Sequence, residues 1–161
     1  MNIRHTQPSD IDAVMEIYAL ARAFMRKTGN LDQWNNNYPA REIIEADIEK
    51  KSAYVLEEND EIIACFFFKI GIDPTYIRIY DGEWLNDDKY GVIHRIAVKY
   101  NGRNVINKVY EYCSRLCKNL KIDTHKDNRP MQRSLEKNGF TRCGIIYLEN
   151  GDERIAYQRC L

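Results

Sequence analysis

The sequence lacks an excess of either charge: 24 lysine and arginine residues balance 24 aspartate and glutamate residues over 161 positions. A net charge of zero argues against bulk binding to nucleic acid, which needs a basic face, so no nucleic-acid partner is expected. Long hydrophobic runs are also missing, and none approaches the roughly 20 apolar residues that span a bilayer. No apolar leader follows Met1. We therefore expect a cytoplasmic protein with no membrane partner.

Cysteine is scarce and scattered, and its number, five, is odd. Cys113 and Cys117 are four residues apart, but no histidine or cysteine partner has the spacing of a zinc site. The pattern predicts reduced thiols and no metal. With 44% hydrophobic and 30% charged residues, the chain has the composition of one globular domain, covering residues 1–161.

Hydrophobic periodicity predicts one mixed α/β domain with the element order β-α-α-β-β-β-α-β-α-β-β. Apolar residues recur at helical spacing from Ile11 to Lys27, for example, whereas 61–70 is a continuous apolar strand. The stretch 71–90 has only weak alternation and several turn residues, and we predict that it is exposed at the surface.

The segment Tyr90–Val109 combines a strand, a polar turn and the start of an amphipathic helix. In the strand, Val92, His94, Ile96 and Val98 alternate with Ile93, Arg95 and Ala97, which predicts two distinct faces. Free N–H groups at a helix start converge on one spot, where the helix dipole also favours negative charge. The segment is therefore a candidate anion site with His94 beside it.

Aromatic residues occur in two polar stretches of the sequence, and we consider them as candidates for a binding pocket. The loop 28–39 contains Trp34 and Tyr38, and the stretch 71–90 contains Tyr80, Glu83 and Trp84. Long loops in compact domains are commonly lids or binding loops. Trp34 and Tyr38 either pack against the core or line a binding pocket, and the sequence leaves both interpretations open. Tyr80, Glu83 and Trp84 are secondary candidates for closing such a pocket.

Along essentially its whole length the chain resembles the GNAT superfamily of N-acetyltransferases. The resemblance rests on three stretches: the opening Ile3-Arg4 with Asp10-Ile11, the strand end Ile96-Ala97-Val98 with its turn and helix, and Asn128 followed by 136–140, Glu-Lys-Asn-Gly-Phe. It implies a twisted mixed sheet that opens between its fourth and fifth strands. It also implies acetyl-CoA as co-substrate and an amine acceptor from a small molecule or a peptide. Because dimers are frequent in the superfamily, it further implies a possible homodimer.

The resemblance also implies which residues hold acetyl-CoA. The backbone of Ile96, Ala97 and Val98 would pair with the pantetheine amides, and the helix-start amides would hold the pyrophosphate. Asn128 would touch the cofactor arm. The helix-start residues are Gly102, Arg103, Asn104, Val105, Ile106 and Asn107.

The sequence departs from the superfamily pattern at several positions. Asn101, Asn104 and Ile106 stand at the three positions of the phosphate signature, and Leu135 replaces the frequent general-acid tyrosine. Asparagine tolerates left-handed backbone, so we predict that Asn104 still forms the turn. The usual carboxylate of the fourth strand corresponds to Val92.

His94 is the candidate catalytic residue, because a histidine titrates near neutral pH and can take a proton from an ammonium. A structural histidine is the competing interpretation. For the whole chain, the prediction is an acetyl-CoA-dependent N-acetyltransferase. The alternative is a GNAT-fold binding or regulatory module with little or no acetyl-CoA turnover, which the altered phosphate turn motivates.

Overall fold

Alternating apolar residues form seven strands, and periodic apolar faces form four helices that cover the sheet. The computed structural model describes residues Met1 to Leu161. The strands are β1 (Asn2–His5), β2 (Ala53–Glu58), β3 (Glu61–Ile70), β4 (Gly91–Val98), β5 (Asn119–Thr124), β6 (Thr141–Tyr147) and β7 (Glu153–Cys160). The helices are α1 (Ile11–Lys27), α2 (Arg41–Glu49), α3 (Val105–Leu116) and α4 (Arg129–Lys137). The predicted element order is confirmed.

One seven-stranded sheet runs through the molecule in the order β1-β2-β3-β4-β5-β7-β6. All neighbouring strands are antiparallel except β4 and β5, which are parallel. Helices α3 and α4 pack on one face around Val109 and Leu135, both fully buried. Helices α1 and α2 pack on the other face around Ile17 and Ile44. No helix is both long and apolar enough to serve as a membrane span.

Strand β4 contains a β-bulge that the alternation of its sequence does not reveal. Cys65 and Phe67 of β3 are opposite Ala97 and His94, so two steps along β3 correspond to three along β4. The extra residue is Arg95, which has φ of +49°. As a result His94 and Arg95 both contact the ring of Phe67. The prediction that these two side chains lie on opposite faces was wrong.

Arg95 joins the bulge to three other elements. Its guanidinium donates to the Asp47 carboxylate of α2 at 2.5 Å and to the Tyr38 hydroxyl at 3.2 Å. Its own carbonyl accepts a hydrogen bond from the Tyr18 hydroxyl of α1 at 2.9 Å. The Arg95–Asp47 pair is largely buried, with side chains 14% and 12% exposed. The bulge is therefore held from both helices of this face.

The stretch 71–90 is not wholly exposed, contrary to the prediction from its sequence. Tyr76 and Tyr90 are 2% and 9% exposed and form a small core with Val92 and Ile146. The prediction was wrong because weak alternation indicates an exposed segment only where the segment is a strand, and this one is not. It is an irregular chain with a 3₁₀ turn, Pro74–Tyr76, that inserts single aromatic rings into the sheet face.

Replacing Asp47 with alanine should lower the free energy of unfolding by about 3 kcal/mol, because it leaves the Arg95 charge buried without its partner. The matched control is Asp12→Ala, which breaks the Arg41–Asp12 pair, where Asp12 is 90% exposed. That change should cost less than about 1 kcal/mol. Urea unfolding measures both. Equal losses would show that the Arg95–Asp47 pair does not anchor the bulge.

Candidate functional site

The sheet opens between β4 and β5, as the resemblance implied. The two strands pair only at Gly91↔Leu120 and Val92↔Lys121, and beyond these residues they separate. A cavity of about 790 Å³ occupies the opening. Its walls come from the loop between α1 and α2, from 73–75, from the inner edges of β4 and β5, and from the β6–β7 hairpin.

The open edge of β4 leaves backbone groups available for a ligand. Lys99 N donates to Ile63 O at 2.8 Å. Because bonded and non-bonded pairs alternate along antiparallel strands, Ala97 turns its backbone to β3 and Val98 turns its backbone to the opening. Across the gap, the buried Thr124 hydroxyl lines the cavity and has no hydrogen-bond partner. An extended chain with amide groups, such as the pantetheine arm, fits these unpaired groups.

The turn after β4 has the backbone geometry predicted for it. Asn104 has φ of +54° and Gly102 has φ of +83°, and α3 begins at Val105. The left-handed conformation predicted for Asn104 is therefore confirmed. Arg103 lies over the ring of Tyr100, 4.9 Å from its centre, and keeps its charge beside the turn. A Cβ added at Gly102 would meet no atom within 4 Å, so this side of the turn is open to a ligand.

The other predicted cofactor residues also serve the fold. Ile96 is buried in the core beneath α3 and also lines the cavity. Ile106 packs against the same core, and Asn107 accepts a hydrogen bond from Asn138 at 3.0 Å. Asn128 caps α4 through Met131 N. Asn128 also lines the cavity, and its role toward the cofactor remains a prediction.

His94 lies at the point where the sheet opens, and a carboxylate holds it there. Its Nε2 is 2.6 Å from Asp73 Oδ2, while Asp73 Oδ1 accepts hydrogen bonds from the backbone and side chain of Thr75. Burial raises the pKa of Asp73, but the hydrogen bonds from His94 and Thr75 outweigh burial and lower the pKa to about 2. Asp73 is thus an anion that fixes the orientation of the imidazole.

A second carboxylate faces the other ring nitrogen. His94 Nδ1 is 3.7 Å from Asp123 Oδ2, and the same oxygen accepts a hydrogen bond from the Tyr76 hydroxyl at 2.6 Å. Burial, followed by the charge of Asp123, raises the pKa of Tyr76 well above its ordinary range. Tyr76 therefore stays protonated and donates to Asp123. His94 is 23% exposed, so the imidazole remains accessible from the cavity.

The loop between α1 and α2 supplies one wall, and its two aromatic residues both pack and line the cavity. Trp34 contacts Tyr18 edge-to-face, with ring centres 5.6 Å apart. Tyr38 accepts the hydrogen bond from Arg95 described above. Gln33 is 7% exposed and accepts hydrogen bonds from Asn128 across the gap at 3.0 Å and from Asn30 at 2.8 Å.

The structure does not bring Tyr80, Glu83 or Trp84 into the cavity. Tyr80 pairs with Ile145 on the outer edge of β6, and Glu83 N donates to Cys143 O of the same strand. Trp84 packs against Tyr76 and donates to its carbonyl at 2.8 Å. These three residues therefore do not line the cavity.

Three charged residues of the cavity, Asp73, Asp123 and Arg154, were not among the predicted site residues. Asp73 precedes Pro74, which is a signal for a capped turn but not for a catalytic partner. Asp123 and Arg154 alternate with apolar residues in β5 and β7, a sequence pattern in which nothing local distinguishes a site residue from a surface charge. Only the alternation along β5 and β7 indicates which face of the sheet these two side chains occupy.

A group of potential metal ligands lies at the rim of the cavity, where the sequence predicts no metal. The ligand atoms of Asp32, His125 and Asp127 lie within 4.8 Å of one another. However, His125 Nδ1 already accepts a hydrogen bond from Asp127 N at 3.0 Å. Three groups also fall short of the four ligands of a structural zinc site.

The fold agrees with known structures. An acetyltransferase of the GNAT family from Streptococcus agalactiae is 34% identical, with a TM-score of 0.91 over 99% of this chain and 95% of that one. A protein described as a putative acetyltransferase from Staphylococcus aureus is 25% identical, with a TM-score of 0.71 over 99% of each chain. The chain therefore belongs to the GNAT family of acetyltransferases.

More distant structures share the fold alone. A ribosomal-protein-alanine N-acetyltransferase from Brucella melitensis is 17% identical, with a TM-score of 0.64 over the full length of both chains. A scan against models of protein families finds no match, and no curated protein matches the sequence.

The Asp73–His94 contact predicts a particular loss of stability in acid. Because the folded-state pKa of Asp73 is about 2 and its ordinary value is 3.8, its stabilisation is complete above 3.8 and is lost as the pH falls toward 2. Urea unfolding of the wild type should therefore show a steeper decline in this interval than Asp73→Asn. Asp152→Asn, which removes a carboxylate with no ion pair, is the control and should follow the wild type. Parallel curves for wild type and Asp73→Asn would contradict the assignment.

Proposed function

We propose that this protein is an acetyl-CoA-dependent N-acetyltransferase whose acceptor is a primary amine bound as a cation. One observation carries the proposal: His94 lies between Asp73 and Asp123 at the opening of the sheet. An accessible imidazole held between two carboxylates can attract an ammonium group and also receive its proton. A structural histidine would need neither access to the cavity nor a second carboxylate.

The contacts of His94 assign a role to each nitrogen. If Nε2 carries its proton toward Asp73, the lone pair of Nδ1 points toward Asp123 and the cavity. An ammonium that donates to Asp123 then lies beside Nδ1, which takes one proton and leaves a neutral, nucleophilic amine. Asp73 keeps the imidazole in the productive tautomer, as the orienting carboxylate does in other base-activated sites.

The open strand edge and the turn 101–104 would hold acetyl-CoA. Val98 and Thr124 supply unpaired polar groups for the pantetheine arm, and the start of α3 supplies amides for the pyrophosphate. When bound, acetyl-CoA supplies the thioester whose C–S bond breaks as the C–N bond to the amine forms. The ammonium loses two protons in all: the one accepted by His94 before attack can be passed to the departing thiolate, and the second leaves the nitrogen after the C–N bond forms and goes to solvent through the cavity. Backbone N–H groups near the bulge would stabilise the developing oxyanion.

The alternative of a binding module with little turnover rested on the altered phosphate turn. Asn104 and Gly102 both adopt positive φ, so the turn forms without the usual glycines. Ile106 turns toward the core, where it does not crowd the turn. The sequence differences therefore leave the backbone of the turn available for a phosphate.

Acetyl-CoA should bind measurably in calorimetry, and Asn104→Val should weaken binding roughly 5- to 30-fold, because a β-branched residue costs about 1–2 kcal/mol in the left-handed conformation. Lys51→Val is the matched control, since Lys51 is also exposed and left-handed, with φ of +55°, but lies in the turn between α2 and β2, away from the candidate phosphate turn. It should leave the Kd unchanged. No detectable binding to the wild type at millimolar acetyl-CoA would overturn the proposed function.

Replacing His94 with glutamine should lower kcat by on the order of 10²- to 10⁴-fold, the usual contribution of a general base. Thiol release with an amine acceptor found by screening measures the rate. The acidic limb of the pH profile should disappear, whereas the Kd for acetyl-CoA should not change. His5→Gln, at an exposed histidine outside the cavity, is the control. An unchanged rate and pH profile in His94→Gln would exclude His94 as the base.

A further inference from the structure

Arg154 is a buried cation in the wall of the cavity that has no carboxylate partner. It is 7% exposed, and no carboxylate oxygen lies within 4.0 Å of its guanidinium. Its one hydrogen bond goes to the carbonyl of the neighbouring Glu153. A guanidinium has five N–H donors, and buried charges are nearly always paired. Most of the N–H donors of Arg154 therefore have no hydrogen-bond partner within the protein.

The register of β5 and β7 places Arg154 on the same face as Asp123. Asp123 is opposite Ala156, and Arg154 is two residues from Ala156 along β7. Diagonal neighbours of this kind are about 7–8 Å apart on one face of a sheet. The cation thus lies beside the carboxylate that faces His94, yet the two do not form an ion pair. One small molecule can contact both groups.

The position of Arg154 does not suit the pyrophosphate of acetyl-CoA. The candidate phosphate turn leads into α3, which packs on the face that contains Ile155. Arg154 is next to Ile155 in the strand and therefore points to the opposite face. That face carries the acceptor side of the cavity, with Asp123 and the β6–β7 hairpin. Burial and then the positive charge of Arg154 lower the pKa of His125, which agrees with an unneutralised guanidinium at this rim.

We propose that the acceptor is a small amino acid-like molecule, with its carboxylate bound by Arg154 and its amine held by Asp123 beside His94. This inference rests on the proposed function and narrows it. The planar guanidinium matches a carboxylate through two parallel hydrogen bonds. A singly charged carboxylate is favoured over a phosphate because Asp123, Glu149 and Asp152 also line the cavity and repel additional negative charge. A peptide amino terminus would present a neutral amide to Arg154.

The test compares matched acceptors in the thiol-release assay: a panel of free L-amino acids, their primary amides, and phosphoethanolamine. Wild-type kcat/KM for the best amino acid should exceed that for its amide by at least about 10-fold. Arg154→Gln should lower kcat/KM for the acid roughly 10- to 100-fold, the factor expected for a lost charge-assisted hydrogen bond. The same variant should leave the rate with the amide unchanged, and Arg154→Lys should recover part of the loss.

Arg142→Gln is the matched control, because Arg142 is an exposed arginine of the same hairpin and lies outside the cavity. It should behave as the wild type with both acceptors. Arg154→Gln should fold at least as stably as the wild type, since it removes an unpaired buried charge. In thermal unfolding without acetyl-CoA, the best amino acid should raise the Tm of the wild type and not that of Arg154→Gln.

The possible failures are distinguishable. If amides or phosphoethanolamine match or exceed the amino acids while thiol release proceeds, the carboxylate assignment is overturned and the proposed function stands. An equal loss of rate with acid and amide in Arg154→Gln also overturns it. If no acceptor releases thiol and acetyl-CoA does not bind, the proposed function itself fails. If the amino acid also raises the Tm of Arg154→Gln, its carboxylate does not bind to Arg154 and the carboxylate assignment is overturned.

Discussion

The β-bulge at Arg95 is the constraint on which the site depends. A bulge bends its strand and increases the local twist, and here it lies three residues beyond Val92, the last residue of β4 that pairs with β5. The strained φ of Arg95 is offset by Tyr18, which holds its carbonyl, and by Asp47, which pairs with its side chain. Because of the extra residue, His94 lies on the acceptor side while Ile96 returns to the core. Without the extra residue, His94 and Ile96 would lie on the same face of the sheet, so either His94 would leave the cavity or Ile96 would leave the core.

Much of the fold could be predicted from the sequence because it follows from periodicity and capping. The order of strands and helices and the left-handed turn at Asn104 were predicted in this way and confirmed. The opening of the sheet, in contrast, was implied only by the resemblance to the superfamily, and it is also present. The bulge was not, because Ile93, Arg95 and Ala97 alternate with their neighbours as in a regular strand. An extra residue becomes visible only when β4 is aligned with β3, because the register depends on both strands and not on the sequence of one of them.

The site was less predictable, for a related reason. His94 could be selected because a histidine can take up a proton near neutral pH and this one is in the strand beside the candidate anion site. Its partners Asp73 and Asp123 are 21 and 29 residues away and belong to different elements, so only the tertiary fold brings them to the ring. Arg154 illustrates the limit best. In the sequence it is one of many charges in an alternating strand, and its significance lies in being buried without a partner.

The same contacts that form the site also replace the strand pairing lost at the opening. Where β4 and β5 separate, no backbone hydrogen bonds join the two halves of the sheet. The loop between α1 and α2 connects them, because Trp34 packs on Tyr18 in one half while Gln33 bonds to Asn128 in the other. Arg26 holds this loop by donating to the Gln33 carbonyl at 2.8 Å. An acceptor bound between His94 and Arg154 would bridge the same gap, since one residue belongs to β4 and the other to β7.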